Sequence, residues 1–361
     1  MVATAYQGPA VESLWWKSYE NPCELEGNLF RKIKDLSKGL PIVQARDGTK
    51  NGEEAYADKA VRKIANSYIR PRWQKHISRI LTREKDIDAI IIFTVPLNHF
   101  GGLPTFIREK HSIPVIYYDG DVPASLPTFQ GFQSGFKIYQ GADITEYDAF
   151  ISNSKGGAAE LEKLGAKNVC TIYWGADPDL FSPLNCEQDI DVFFYGHGHE
   201  YRQDWIDSMI TEPSKKLSNH RFAIRGTGFD IDLGETERLP YASVSKLREY
   251  CCRSKINLNI TRKAHASVYA SSSARIFELA SMGCCIVSNP VEGLEEWFEV
   301  GKELIIVNGV DEVVERYKWL LSHDRERQCI GKHARECVLK RHAYRDRATQ
   351  LIGIVNSLLK Q

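Results

Sequence analysis

The stretch over residues 256–297 contains the pattern that most constrains the fold of this chain. Residues 256–260 alternate apolar and polar side chains, which predicts a short strand. Residues 274–282 carry apolar side chains at helical spacing behind three serines that offer N-caps, and Gly283 follows where a left-handed cap ends a helix. Residues 284–288 form a second short apolar run. A strand, a helix and a strand in this order predict a βαβ unit, the building block of a parallel sheet.

The order of this unit predicts a ligand site where the helix begins. Ligands of open α/β sheets bind at the carboxyl ends of the strands, and the free N–H groups of a helix N-terminus suit phosphate. We expect the amides of Ser272 and Ser273 to hold a diphosphate, with Arg275 adding positive charge in the first turn. Glu278, one turn later, can accept two hydrogen bonds from a ribose diol. The alternative is that Arg275 and Glu278 form an ordinary surface pair.

The sequence RIFELASMG at residues 275–283 resembles the R-x-F-E-x-x-x-x-G core of the CgeB-like glycosyltransferases, the relatives of spore-maturation CgeB. The resemblance implies the GT-B architecture, an α/β fold with two Rossmann-like domains facing each other across a cleft. It also implies similarity to the retaining group-1 glycosyltransferases, in which a glutamate at the place of Glu278 holds the nucleotide ribose. A second glutamate of that group, with seven residues between the two, contacts the donor sugar. Ala270 stands there in this chain, so only half of that motif is present.

Length and composition are those of a globular protein with two domains. The chain has 361 residues, of which 43% are hydrophobic and 26% charged. Lys plus Arg and Asp plus Glu both number 47, so no basic excess indicates nucleic acid as the main partner. Nine cysteines contain no C-x-x-C, so neither a zinc site nor a disulfide framework is predicted. With no signal-peptide pattern and no run long enough to span a membrane, we expect a cytoplasmic protein.

Strands that alternate with helices predict two α/β domains. We expect an N-terminal Rossmann-like domain over residues 1–183 on the acceptor side, and a C-terminal one over residues 184–341 that binds the nucleotide-sugar donor. The resemblance, which extends over residues 89–360, implies that a final helix within residues 342–361 packs back on the first domain. A G-x-D-x-x-x-F-x-P turn at residues 175–183 and a partial H-[TS]-[YW]-x-x-R box at residues 342–347 belong to it.

The first 85 residues carry the weakest patterns. We predict a buried strand at residues 2–6 and a mostly helical region over residues 55–81 with a break or kink at Pro71. A helix at residues 30–36 and a loop at residues 47–54 lie between them. An amphipathic helix is predicted through Leu14, Trp15, Trp16 and Tyr19.

Further donor-side residues follow from the same fold. A G-x-G turn begins at Gly196 after a predicted strand, and in the resembling family this turn faces the donor diphosphate. Arg202 is the matching basic residue; a plain turn with a solvated arginine is the alternative. Asn259 and Arg262 lie at and just past the carboxyl end of the strand at residues 256–260. We expect both to face the donor, although Arg262 could pair with solvent instead of phosphate.

Acceptor-side residues are expected in the loops that follow the N-terminal strands, although each of them could instead serve as a cap or a turn. Asn98, Gly101 and Gly102 are the binding candidates. An inverting enzyme would need a general base, for which His99 and Asp121 are the chemically suitable groups. A retaining enzyme needs none, because the donor phosphate can take the proton of the acceptor.

The hypothesis that results is a glycosyltransferase, metal-independent and retaining, that needs no cofactor besides its nucleotide-sugar substrate. D-x-D, a metal signature of another glycosyltransferase fold, occurs five times and is therefore uninformative here. The acceptor stays open among protein, polysaccharide, lipid, small molecule and modified DNA. One alternative is a nucleotide-sugar epimerase on the same fold. The other is a non-catalytic nucleotide-sugar-binding or structural protein, motivated by Ala270.

Overall fold

A computed structural model describes residues 1–6, 8–10, 12–26, 62–126, 138–198 and 202–360. Its first α/β domain is built on a four-stranded parallel sheet whose strands lie in chain order. These strands are β3 (Ile90–Phe93), β4 (Val115–Asp119), β5 (Ala149–Ser152) and β6 (Val169–Thr171). The helices are α1 (Arg70–Arg83), α2 (Leu103–His111) and α3 (Lys155–Lys163). A short pair, β1 (Val2–Thr4) and β2 (Lys17–Tyr19), lies outside this sheet.

The near-continuous apolar sequence of β4 explains its central position. Val115, Ile116 and Tyr117 are fully buried, as expected of a parallel strand that is covered on both faces. Tyr117 belongs to the core on one face of the sheet, together with residues of α1 and α2. Ile116 belongs to a smaller core on the other face.

The second domain is built on a six-stranded parallel sheet in the order β12-β11-β10-β7-β8-β9. Its strands are β7 (Ile190–His197), β8 (Phe222–Thr227), β9 (Glu237–Arg238), β10 (Ser254–Asn259), β11 (Ile286–Ser288) and β12 (Ile305–Ile306). Its helices include α4 (Gln203–Ile206), α5 (Glu212–Lys216), α6 (Val244–Cys252), α7 (Lys263–Ala266), α8 (Ala274–Ser281), α9 (Val310–Ser322) and α10 (Asp324–Arg341). A π-helical stretch, Asp207–Thr211, joins α4 to α5.

The strand order reverses between β7 and β10. From β7 the chain proceeds to β8 on one side, whereas from β10 it proceeds to β11 on the other side. Such a reversal opens a crevice at the carboxyl ends of the two strands, and this is where open α/β sheets bind ligands. The βαβ unit predicted from residues 256–288 is therefore present, and it borders this crevice.

The last helix, α11 (Tyr344–Leu358), packs on the sheet of the first domain. Its residues Leu351, Ile354, Val355 and Leu358 lie against the core that contains Ile116. The helix thus lies against the N-terminal sheet, whereas the assignment of residues 342–361 as a separate unit stays a prediction. The predicted boundary between residues 183 and 184 falls between β6 and β7, so each of the two large sheets takes its strands from one side of it.

The predicted amphipathic helix near the N-terminus is wrong. Lys17–Tyr19 forms β2, which pairs in parallel with β1, and Leu14 and Trp15 are 100% and 84% exposed. A few apolar residues at helical spacing do not distinguish a helix from a strand when the run is short. The position of β2 is fixed instead by long-range contacts, because Lys17 and the Tyr19 hydroxyl both bond to Glu84 beyond α1.

The chain is continuously helical over residues 62–83, and a π-helical turn, Ala65–Ile69, passes into α1 directly before Pro71. This irregular turn lies where the sequence predicts a break or kink. The predicted elements over residues 30–36, 47–54 and 55–61 lie outside the described residues.

We predict that Gly226→Ala destabilises the protein. Gly226 pairs with Gly196 where β7 and β8 end, and a Cβ on Gly226 would lie 1.7 Å from the Gly196 carbonyl oxygen. Relieving such a contact moves the two backbones apart, so we expect the free energy of unfolding in urea to fall by about 1–3 kcal/mol.

Gly353→Ala in α11 is the matched control, because an added Cβ there would meet nothing within 4 Å. Removing a glycine from a helix interior should stabilise the protein by roughly 0.5–1 kcal/mol. Two alanine variants of equal stability would contradict the packing argument for Gly226.

Candidate active site

The crevice between β7 and β10 is bordered by one helix that presents two charged side chains. The apolar side of α8, with Ile276, Phe277 and Leu279, is buried in the core of the second domain. Arg275 and Glu278 occupy the remaining side and stay partly exposed. One helical turn separates them, so both lie near the helix N-terminus. The amphipathic pattern seen in the sequence is what orients these two residues towards the crevice.

Glu278 is fixed by a tyrosine at the end of β7. The Tyr195 hydroxyl donates a 2.7 Å hydrogen bond to Oε2 of Glu278. Burial raises the pKa of Glu278, and the bond from Tyr195 and the nearby Arg275 charge partly oppose that rise. The sequence analysis did not single out Tyr195, although its place before the Gly196 turn is the position that meets α8.

Two arginines converge on one backbone carbonyl just past β10. Arg202 Nε and Arg275 Nη1 donate to the Ile260 oxygen at 3.0 and 3.1 Å. The Arg275 guanidinium also lies over the rings of Phe194 and Tyr195, 5.0 and 5.3 Å from their centroids. Two guanidinium groups on one oxygen concentrate positive charge at this point of the crevice, which favours an anion there.

Gly196 provides the space for one of these cations. A Cβ at this position would lie 2.6 Å from Arg275 Nη2, so a larger residue would displace the guanidinium. The predicted neighbourhood of Gly196, Arg202, Arg275 and Glu278 is therefore present in the structure. Their role in donor binding stays a prediction.

Arg262 joins the two domains. It forms an ion pair with Asp121, in the loop after β4. Its Nη2 also lies 3.2 Å from His265 Nε2, which in turn lies 3.6 Å from Asp121 Oδ1. The Arg262 guanidinium thus has a carboxylate partner from the other domain instead of solvent. Asp121, which was predicted on the acceptor side, is therefore in contact with the second domain.

The prediction for Ser272 requires correction, because its amide donates to the carbonyl oxygen of Asn153 at 3.1 Å and is not open to a phosphate. The Ser272 hydroxyl donates to the same oxygen and accepts from the Trp174 amide. Asn153 Nδ2 returns a bond to the Ser272 carbonyl. Ser273 occupies the N-cap position of α8 without a side-chain capping bond, and it stays partly exposed. The serines before α8 thus serve the contact between domains more than the helix.

Asn259 also differs from expectation, since its side chain is 1% exposed and lies within the domain. Its Nδ2 donates to Ser288 Oγ at 2.9 Å and to Thr261 Oγ1 at 3.2 Å. These bonds connect the end of β10 to the end of β11. Asn259 therefore holds the ends of β10 and β11 together and does not line the crevice.

The acceptor-side candidates after β3 have hydrogen bonds within their own domain. Burial lowers the pKa of His99 to about 4, so its ring, which bonds to the Tyr6 hydroxyl, is neutral near pH 7. The other contacts run from Asn98 to the Gln140 carbonyl, from Arg70 to the Gly101 carbonyl, and from the Gly102 amide to Glu146. These bonds hold the loop in place, and a role of its residues towards an acceptor stays a prediction.

Among the described residues, no three or more His, Cys, Asp or Glu side chains are grouped so that they could hold a metal ion. Within the same part of the chain, every helix is too short or too polar to cross a membrane.

Comparisons with known proteins identify the fold and indicate the type of enzyme. Residues 202–353 match the family model described as glycosyl transferase-like. A glycosyltransferase from Rickettsia africae ESF-5 is similar over 100% of this chain and 98% of that one, at 13% identity and a TM-score of 0.61. HepE from Anabaena, solved with UDP, is similar over 85% of this chain and 98% of that one, at 12% identity and a TM-score of 0.60. Sucrose-phosphate synthase from Thermosynechococcus elongatus is similar over 82% of this chain and 79% of that one, at 14% identity and a TM-score of 0.59.

The chain has the GT-B fold. The prediction of that fold is confirmed, and the family match bears out an enzyme of the glycosyltransferase type. Arg202, Arg262, Arg275 and Glu278 all lie within the matched residues. No curated protein sequence matches the chain. The matched family description does not specify the CgeB-like subgroup, so that finer assignment stays a prediction.

We predict that Glu278→Gln stabilises the ligand-free protein at neutral pH. Because the folded-state pKa is raised above the ordinary value of 4.5, the folded state binds the proton more tightly than the unfolded chain does. Ionisation of Glu278 therefore costs stability above the folded pKa, and that cost disappears below the unfolded value. Urea unfolding should show the glutamine variant to be more stable at about pH 7.5, with the gain lost by about pH 4.

Glu315→Gln provides the comparison, because Glu315 is exposed on α9. Its stability difference from the unmodified protein should stay near zero over the same range. A constant gain from Glu278→Gln at both pH values would show that the raised pKa is not its cause.

Proposed function

We propose that this protein transfers a sugar from a nucleotide-sugar donor to an acceptor, without a metal and with retention at the anomeric carbon. The observation that carries the proposal is the convergence of Glu278, Arg275 and Arg202 at the carboxyl ends of β7 and β10. One carboxylate beside two arginines at a helix N-terminus matches the ribose and the diphosphate of a nucleotide-sugar.

The contacts across the crevice occur in the same order as the chemical groups of such a donor. Glu278 is bonded to Tyr195, whose ring lies beside Arg275. Arg275 shares the Ile260 oxygen with Arg202. Beyond it Arg262 and His265 meet Asp121 of the other domain. We assign Glu278 to the ribose and the stretch from Arg275 to Arg262 and His265 to the diphosphate, with the sugar beyond it towards the acceptor domain.

The ribose end depends on a carboxylate that Tyr195 holds in one orientation. A ribose diol would donate hydrogen bonds to the ionised form of Glu278 and would lower the raised pKa of this group. The diphosphate end depends on Arg202, Arg275 and the partly exposed Ser273 at the N-cap of α8. Opposite charges at the two ends fix the direction in which the donor enters.

Retention is supported by the resemblance to the retaining group-1 enzymes and by the state of the two candidate bases. His99 is bonded to Tyr6, and its pKa of about 4 makes it a weak base. Asp121 is occupied by its ion pair with Arg262. Because neither group is available as a base, the donor phosphate is the group better suited to take the proton of the acceptor substrate. NMR of the product anomer tests this step, and an inverted anomeric centre would refute it.

Ala270 supports a second candidate function, a nucleotide-sugar-binding protein without catalysis. It stands where the group-1 resemblance places the sugar-contacting glutamate, and it is fully buried with only a methyl group to offer. Donor binding without transfer or hydrolysis across a broad acceptor panel would favour this candidate.

We also keep the expectation of a cytoplasmic protein as part of the proposal.

Glu278→Ala tests the donor site directly. A ligand that binds only the folded state adds about 2.7 kcal/mol of stability at roughly a hundredfold excess over its dissociation constant. We expect one nucleoside diphosphate from a panel of UDP, dTDP, GDP, CDP and ADP to raise the melting temperature. UDP is tried first because Anabaena HepE was solved with UDP and with UDP-glucose. The shift should be lost in Glu278→Ala.

Glu315→Ala is the matched control, since it removes an exposed carboxylate of the same type and should keep the full shift. Parallel samples with and without Mg²⁺ test metal independence. Equal shifts in Glu278→Ala and in the unmodified protein would remove the ribose assignment. Absence of a shift with every nucleotide would count against a nucleotide-sugar site altogether.

A further inference from the structure

His265 is a buried histidine in the crevice whose Nδ1 atom has no hydrogen-bond partner among the residues that the structure describes. It lies on the short helix α7, is 4% exposed, and was not selected by the sequence analysis. Its Nε2 contacts Arg262 and Asp121, whereas Nδ1 has no partner within the described part of the chain. Buried polar atoms normally have partners, so an orphaned one at a candidate site calls for a functional explanation.

The contact with Arg262 determines which ring nitrogen carries the proton. A guanidinium only donates hydrogen bonds, so the 3.2 Å contact requires a lone pair on Nε2 of His265. Burial, followed by the charges of Arg262 and Arg202, lowers the pKa of His265 well below 6.5. The ring is therefore neutral near pH 7, with its single proton on Nδ1. The orphaned atom is thus an N–H donor.

A second orphaned donor lies in the same crevice. Arg275 Nε is also buried and has no partner among the described residues, although its Nη1 bonds to the Ile260 oxygen. Arg202 shares that oxygen, and its charge acts on His265. Two N–H groups without acceptors among the described residues, one on His265 and one on Arg275, require oxygen atoms that this part of the chain does not supply. An anion with several oxygens fits this arrangement better than a neutral group.

We propose that His265 is a donor-binding residue, in which Nδ1–H donates to a phosphate oxygen of the nucleotide-sugar while Nε2 holds Arg262 in position. This inference rests on the proposed function and deepens it, because it names the group that binds the diphosphate next to Arg262. His265 then contributes recognition without adding charge to a site that already contains three arginines.

Two substitutions separate the roles of the two ring nitrogens. His265→Asn places an amide N–H near the position of Nδ1 and removes the acceptor at Nε2. His265→Gln places an amide oxygen near Nε2, where it can accept from Arg262, and removes the donor at Nδ1. By calorimetry with the nucleoside diphosphate that binds the unmodified protein, we expect His265→Gln to weaken binding about tenfold or more. His265→Asn should stay within about threefold of the unmodified protein.

The reverse order of affinities would overturn the proposal, since it would show that His265 serves only to brace Arg262. Equal binding by both variants and the unmodified protein would also overturn it. Failure of the unmodified protein to bind any of UDP, dTDP, GDP, CDP or ADP is a different result. It would refute the proposed function, and this inference would fall with it.

A measurement on the unmodified protein covers the case in which a variant does not fold. In protein labelled with ¹⁵N-histidine, the Nδ1 signal of His265 should show the protonated form. Saturating UDP, or whichever nucleotide binds, should shift that signal as the new hydrogen bond forms. An Nδ1 signal that stays unchanged at saturation would overturn the proposal even if both variants unfold.

Discussion

The proposed donor site of this protein depends on a single backbone oxygen, that of Ile260. Arg202 and Arg275 both donate to it, which brings two guanidinium groups together at the end of β10. Like charges held this close repel each other and oppose folding, so such an arrangement is difficult to explain by stability alone. It is readily explained if an anion completes the site. The orphaned Nδ1 of His265 and Nε of Arg275 support the same conclusion, because they are buried donors for which the described chain has no acceptor.

The second constraint is the contact between the two domains. Asn153 and Ser272 exchange hydrogen bonds, and the Ser271 hydroxyl donates to the Val122 carbonyl. A buried carboxylate, Asp119, organises the loop on the N-terminal side. It accepts bonds from the Asp121 amide, Ser125 and Tyr139, and burial nevertheless raises its pKa. This loop presents Asp121 to Arg262, so the N-terminal domain contributes to the environment of the proposed donor site.

The sequence predicts the backbone of the second domain well, because local patterns determine it. The alternation at residues 256–260 and the helical spacing after Ser273 correspond to β10 and α8. The same patterns orient Arg275 and Glu278 towards the crevice. At the N-terminus the patterns are shorter, and the strand Lys17–Tyr19 depends on pairing with β1 and on bonds to Glu84. Local spacing contains no information about such partners.

The polar partners within the site were not predictable for a related reason. An amide at a helix N-terminus is free by local rules, yet the Ser272 amide is taken by Asn153 of the other domain. His265 gives no signal in the sequence, because its importance arises from Arg262 beside it, Asp121 across the domain contact and Arg202 from a distant helix. Local patterns therefore place the charged groups of the proposed donor site, whereas contacts over long stretches of chain decide which of them are already occupied. Two of its hydrogen-bond donors, His265 Nδ1 and Arg275 Nε, have no partner among the described residues. They could be recognised only from the folded chain, and a bound diphosphate would supply their missing acceptors.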